Sequence, residues 1–226
     1  MKKVTLIMIV LMTFLAIACK KDGDNISLKN NDINISEYIV VGETFWGYDV
    51  NKTPPYIIEF ATNGKANIYT LEAQITTEYE TKGNRIILAN IGYIDVEDGL
   101  TKNTLAGIDV DLKDGKLIKL QQLENKTYPK GQRMIWKFDG TSTNTNIVKD
   151  YQIIVSGNKI IEKYLRNTLY NDLWGQVTNE YTFTKLLGNG GYYNKDGRKI
   201  IFYIDPIQNN LIYWDYTSYS YVYYKY

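Results

Sequence analysis

Eight of the last fourteen residues are aromatic: Tyr213, Trp214, Tyr216, Tyr219, Tyr221, Tyr223, Tyr224 and Tyr226. Read as a strand, this run puts Tyr219, Tyr221 and Tyr223 on one face, because strand side chains alternate with period two. Flat rings stack on sugar rings or other apolar ligands while phenol hydroxyls bond the rim. Trp214, Tyr219, Tyr221 and Tyr223 are therefore the candidate ligand-binding residues. The same rings could instead pair across strands, stabilising a sheet by about 0.2–1 kcal/mol per pair. Ser218, Ser220 and Lys225 suit such an amphipathic edge.

Other chemistries are poorly provided for. The chain contains no histidine, which excludes Ser-His-Asp and Cys-His nucleophile systems and the usual His/Cys zinc sites. It also removes the side chain that most often moves protons near neutral pH. Carboxylate chemistry survives, and Glu97-Asp98 or Glu78 with Glu80 could supply a glycosidase pair, although acids beside turns are ordinarily just solvated. The stretch 109–115 begins like a calcium loop, with Asp109 and Asp111 at alternate positions. Lys113 then occupies the third ligand position and Leu120 the twelfth, where glutamate is required. Gly188-Asn189-Gly190-Gly191 lacks the Lys-Ser/Thr of a phosphate loop. With 26 basic and 25 acidic residues, no long-range field gathers nucleic acid. The expectation is a non-enzymatic protein with no metal, no cofactor and no nucleic-acid partner.

The only cysteine is Cys19. Before it stand Lys2 and Lys3, then a run over 4–18 that is apolar apart from Thr5 and Thr13: the layout of a secretory signal. The run is shorter than the roughly 20 residues a spanning helix needs. Leu15-Ala16-Ile17-Ala18-Cys19 resembles the lipobox of bacterial lipoproteins, with Ala16 where that family prefers leucine. The resemblance implies a signal peptide over 1–18, acylation of Cys19 and lipid anchoring to the outer membrane, on its periplasmic face or at the cell surface. Residues 20–36 hold scattered isoleucines but no aromatic side chain and read as a flexible tether. The charged stretch after Cys19 is similar to export signals of Bacteroidetes-type surface lipoproteins. A lone cysteine also leaves the fold without an internal disulfide.

From residue 37 onward, turn dipeptides recur: Asn63-Gly64, Gly83-Asn84, Asp98-Gly99, Asp114-Gly115, Asp139-Gly140, Gly157-Asn158 and Asp196-Gly197. Each separates short runs rich in Ile, Val, Tyr, Thr and Phe, the signature of hairpins. About a dozen strands at 8–12-residue spacing predict an all-β, antiparallel meander, barrel-like rather than βαβ. One segment breaks the pattern. Over 159–174 the apolar residues form a helical stripe, so at most one substantial helix, near 161–174, is expected, although Gly157-Asn158 could turn directly into a strand through Ile160-Ile161. The polar run 140–146 is the best internal boundary. It leaves either one domain over 37–226 or two small units, 37–139 and 147–226. The halves end alike, Leu117 to Leu120 before Met134 to Phe138 and Leu211 to Trp214 before Val222 to Tyr226, as a decayed duplication or as ordinary closing strands.

Gly42-Glu43-Thr44-Phe45-Trp46 opening a hairpin meander resembles the lipocalin-like group, in which a glycine and a tryptophan close one end of an eight-stranded barrel. The resemblance implies that Trp46 plugs the barrel. Taken together, the expectation is a lipid-anchored envelope protein binding a small apolar or glycan ligand, the alternative being an envelope scaffold for protein partners. Mass spectrometry of the mature protein from its native host should find a diacylated or triacylated N-terminal Cys19; an intact Met1 terminus would refute the anchor.

Overall fold

The computed structural model describes residue 28 and residues 33–45, 55–108, 111–121, 125–137, 142–143, 148–167, 174–188, 190–195, 198–205, 210–215 and 220–225. For residues 45, 195 and 198 and the strand positions within 132–149, 166–174 and 205–225 it describes the backbone alone. Among the described residues there is no α-helix; Ile35–Glu37 forms a single 3-10 turn capped by the Asn34 side chain.

The first eight strands are β1 (Tyr38–Phe45), β2 (Pro55–Phe60), β3 (Lys65–Tyr69), β4 (Gln74–Lys82), β5 (Arg85–Leu88), β6 (Gly92–Glu97), β7 (Leu100–Leu105) and β8 (Asp111–Lys119). They form a closed antiparallel meander barrel in which β8 returns to pair with β1. Three of the turns are those the sequence marks, Asn63-Gly64, Gly83-Asn84 and Asp98-Gly99. Gly64, Gly83, Asp98 and Gly99 all have positive φ, which glycine and aspartate tolerate best.

Eleven strands follow: β9 (Lys126–Thr127), β10 (Gln132–Lys137), β11 (Ser142–Thr143), β12 (Val148–Ser156), β13 (Lys159–Asn167), β14 (Trp174–Thr182), β15 (Lys185–Leu187), β16 (Gly190–Lys195), β17 (Arg198–Asp205), β18 (Asn210–Asp215) and β19 (Ser220–Lys225). They make a four-stranded sheet, β14-β13-β12-β9, and a seven-stranded one, β11-β10-β19-β18-β17-β16-β15. Three chain courses belong to both sheets, β9 with β10, β11 with β12 and β14 with β15, β11 pairing with β10 as β12 pairs with β9. The course through β9 and β10 keeps its bonds to β12 across the bend, Tyr128 N to Ile153 O and Gly131 N to Tyr151 O. Only Phe183 and Thr184 separate β14 from β15. Counting each bent course once, the second unit repeats the first: eight antiparallel courses in meander order, the last (β19) pairing with the first (β10). Even the shared strand recurs, since β4 pairs with β3 through 74–78 and with β5 through 79–82.

Three apolar clusters follow. One fills the barrel, with Val40, Tyr56, Ile58, Phe60, Ile68, Ile86 and Ile94. Another lies between the two sheets, with Tyr151, Ile153, Val155, Phe183, Ile200, Phe202 and Ile204. The third joins barrel to sheet: Ile39, Val41, Ile57, Tyr69 and Leu71 meet Leu187, Tyr192, Ile201 and Tyr203. Strands β1, β2 and β17 are thus buried on both faces, which is why they read as unbroken apolar runs instead of alternating. Gly190 permits the close approach, since a Cβ there would lie 3.0 Å from Ile57 Cδ1. Lys185 Nζ lies 3.1 Å from Glu59 Oε1 across the same junction.

Four expectations are corrected. Residues 159–167 are a strand, not a helix. Gly157, at φ +57°, turns the chain straight back, and Ile160, Glu162 and Tyr164 are buried while Ile161, Lys163 and Leu165 are less so, which is period two. Asp114-Gly115 lies within β8 and is no turn, the β7–β8 connection falling earlier, after Leu105. The segment read as tether does not stay in solvent: Leu28 and Ile35 are buried in the barrel core with Ile33 against them. Finally, 140–146 is not between the units, because β10 precedes it and β11 within it pairs back onto β10. The barrel ends at Lys119 and the next course starts at Lys126.

Gly115 should be intolerant. A Cβ there would stand 2.4 Å from the Val41 carbonyl oxygen and 2.8 Å from the Tyr56 hydroxyl, and backbone cannot step aside. Gly115→Ala is expected to destabilise by about 2–4 kcal/mol in denaturant unfolding. Gly157→Ala, with open space but φ +57°, should cost only about 1–2 kcal/mol.

Candidate functional site

The barrel closes imperfectly between β7 and β8, and that seam shapes the site. Backbone pairing there covers only Leu100↔Lys116 and Thr101↔Gly115. Beyond it side chains supply the bonds: Gly115 N donates to Thr101 Oγ1 (2.9 Å) and Asn103 N donates to Asp114 Oδ1 (2.8 Å). Tyr56, fully buried, reaches the seam from β2. Its hydroxyl donates to the Lys113 carbonyl (2.8 Å) and accepts from Asn103 Nδ2 (2.7 Å). Its ring lies over Gly42, where a Cβ would come within 2.6 Å of it. Gly42 and Gly115 are themselves a cross-strand pair. Burial pushes the Tyr56 hydroxyl up to about 12.

Outside this seam, between barrel and seven-stranded sheet, runs a groove of about 1020 Å³. Its barrel wall carries Glu43, Glu97, Asp98, Lys102, Lys113 and Lys116; Tyr203 of β17 contributes from the other unit. Lys113 Nζ is 3.9 Å from Glu43. Asp95, also lining the groove, is held by Arg85 through two bonds of 2.7 and 2.9 Å, and that guanidinium keeps its carboxyl below the usual range. Leu100, at the lip, is 60% exposed and is the one large exposed apolar side chain among the described residues. Mixed charge with a few apolar contacts can hydrogen-bond hydroxyls and amides from both the donor and the acceptor side.

The barrel interior is packed with aliphatic and aromatic side chains. In the second unit the buried Glu162 accepts hydrogen bonds from the hydroxyls of Tyr151 (2.5 Å) and Tyr181 (3.1 Å) and from Asn179 Nδ2 (3.1 Å), as a buried carboxylate must. Among the described residues no group of three or more His, Cys, Asp or Glu could hold a metal ion.

The sequence-predicted residues are placed unevenly. Cys19, Trp46, Tyr219 and Asp109 lie outside the described residues. Backbone register sets Tyr221 opposite Trp214 and Tyr223 opposite Ile212, so Trp214, Tyr221 and Tyr223 do share one sheet face. The acid pair Glu97-Asp98 caps the β6–β7 hairpin at the groove, whereas Glu78 is bound to Lys65 on the barrel's exposed surface. The groove residues Lys102, Lys113, Lys116 and Tyr203 escaped the sequence reading. Only the oddly placed Gly115 hinted that backbone and side chain crowd together there. Compared with known proteins, the chain matches no family model, no curated protein and no solved structure. What fold and groove define is a class: a two-unit, all-β meander protein with a groove between the units.

The Tyr56 hydroxyl predicts alkaline sensitivity. Its proton is held more tightly in the folded state than at the ordinary value near 10. The stabilisation is therefore complete below about pH 10 and fades as pH rises toward 12, by up to about 3 kcal/mol. Tyr69 and Tyr192, also raised by burial, add to the slope. Urea unfolding across pH 9–12 should show the wild type losing stability and Tyr56→Phe losing visibly less, from a lower starting value. Parallel curves would refute the role of Tyr56.

Proposed function

We propose that the protein is a lipid-anchored, non-enzymatic binding protein of the bacterial envelope, held at the outer membrane through Cys19, that takes a glycan in the groove between its two units. The observation that carries this reading is where the space lies. The barrel core is packed with aliphatic and aromatic side chains, and the groove outside it is lined by carboxylates and ammonium groups. Such walls suit a hydroxyl-rich ligand: carboxylates accept from hydroxyls, lysines donate to them, and burial of the ligand's apolar faces supplies the rest.

A second reading, an envelope scaffold for a protein partner, is favoured by the exposed Leu100 at the groove's lip. An isolated apolar side chain beside mixed charges fits a modest protein interface, although single exposed apolar residues are common.

Glycan-array screening of the full chain discriminates the two. Binding is expected, and Lys116→Glu combined with Glu97→Lys should weaken it at least tenfold without changing the melting temperature. Undiminished binding by that variant would remove the groove from consideration. Protease shaving of intact cells distinguishes surface display, in which the protein is cut, from a periplasmic address, in which it survives.

A further inference from the structure

The charges along the groove differ in what already answers them. Three carboxylates are compensated within the barrel. Asp95 takes two bonds from Arg85, Asp114 accepts from the Asn103 N–H, and Glu43 faces Lys113 at 3.9 Å. Glu97, Asp98 and Lys116 line the same groove. No side-chain hydrogen bond or ion pair joins any of these three to another described residue.

Strand register explains why they do not answer one another. Glu97 stands opposite Leu100, and Leu100 opposite Lys116, so the three share one cross-strand row on the outer face of the barrel. Neighbouring strands lie about 4.8 Å apart, which sets Glu97 about 10 Å from Lys116. The exposed Leu100 stands between them. The same row runs on to Val41 and Ile57, which are buried against the second unit together with Tyr203. Lys116 therefore occupies the inner end of the groove. Glu97 and Asp98, at the β6–β7 turn, occupy the outer end.

A ligand that covers an unpaired charge must compensate it. A neutral hydroxyl does so only in part, and the desolvated ion then costs binding energy. An opposite charge on the ligand forms a charge-assisted bond, roughly twice as strong as a neutral one. We infer that the occupant of the groove is a zwitterionic glycan, with an ammonium group at Glu97 and Asp98, an acidic group at Lys116, and the C–H face of a sugar ring over Leu100. This rests on the glycan reading above and narrows it to a chain bearing both signs of charge, acid inward and amine outward. A purely anionic chain would bring its charge onto two adjacent carboxylates, and a purely cationic one would meet Lys116. Asp95, Asp114 and Glu43 make no such demand, since each is already answered, and they remain acceptors for hydroxyls.

The test is isothermal titration of the full chain with four forms of one tetrasaccharide of alternating glucosamine and glucuronic acid. One form keeps free amines and carboxylates, one is N-acetylated, one is carboxyl-reduced, and one is both. The zwitterionic form should bind at least tenfold more tightly than either singly charged form, with an advantage that shrinks in about 0.5 M salt. Glu97→Gln should erase the gain from the amine and leave the gain from the carboxylate; Lys116→Met should do the reverse. Both side chains are exposed, so both variants should keep the wild-type melting temperature. Equal affinity for the neutral and zwitterionic forms would overturn the charge assignment while leaving a glycan groove standing. A gain that neither variant removes would overturn it as well. If none of the four binds, a broad glycan array decides. Hits that carry both charges uphold the inference, and hits confined to neutral or singly charged glycans overturn it. No hit at all overturns the glycan reading with it.

Discussion

The barrel depends on one tyrosine seated against two glycines. Tyr56 lies where any side chain on Gly42 or Gly115 would clash, and its hydroxyl bridges the seam that β7 and β8 leave partly unladdered. A buried hydroxyl left without partners costs about 1–3 kcal/mol, so Asn103 and the Lys113 carbonyl are as necessary to the arrangement as the ring. The outcome reaches the outside of the barrel. Holding β8 at this distance from β7 sets where Lys113, Asp114 and Lys116 emerge, and these form the groove's barrel wall.

The second constraint is that two units of one topology share a third apolar layer. Because the seven-stranded sheet packs its inner face on the four-stranded sheet and part of its outer face on the barrel, β17 alternates between two cores residue by residue. The Lys185–Glu59 pair, with Glu59 also accepting from Asn67 and Tyr69, sits at that junction. Hydrogen-bonded from several sides, it registers the units more than it stabilises them.

Much of the fold was legible in the sequence because antiparallel hairpins are local. Asn63-Gly64, Gly83-Asn84, Asp98-Gly99 and Gly157-Asn158 announce turns through the backbone conformations they tolerate, and the runs between them through β-branched and aromatic content. Legibility failed where two periodicities coincide. Ile160, Ile161, Tyr164 and Leu165 satisfy a helical stripe and a two-sided strand equally, and the Gly157-Asn158 turn just before them decides between them. Asp114-Gly115 failed for another reason: its glycine is dictated by Tyr56, nearly sixty residues away, and not by a turn. Leu28 and Ile35 failed because a short apolar segment cannot advertise the barrel end that buries it. Of the candidate site, Glu97-Asp98 was visible as an acid pair beside a turn. The rest of the charged wall was not, since Glu43 and Lys116 join it only through barrel closure.

That the groove between the units is the ligand's seat is the central claim, and hydrogen–deuterium exchange of the full chain tests it most directly. Added at saturation, a binding oligosaccharide should slow exchange on both sides of the groove together, over 95–102 and 113–118 on the barrel and over 201–204 on the second unit. Protection limited to one unit, or confined to the four-stranded sheet on the far side, would contradict it.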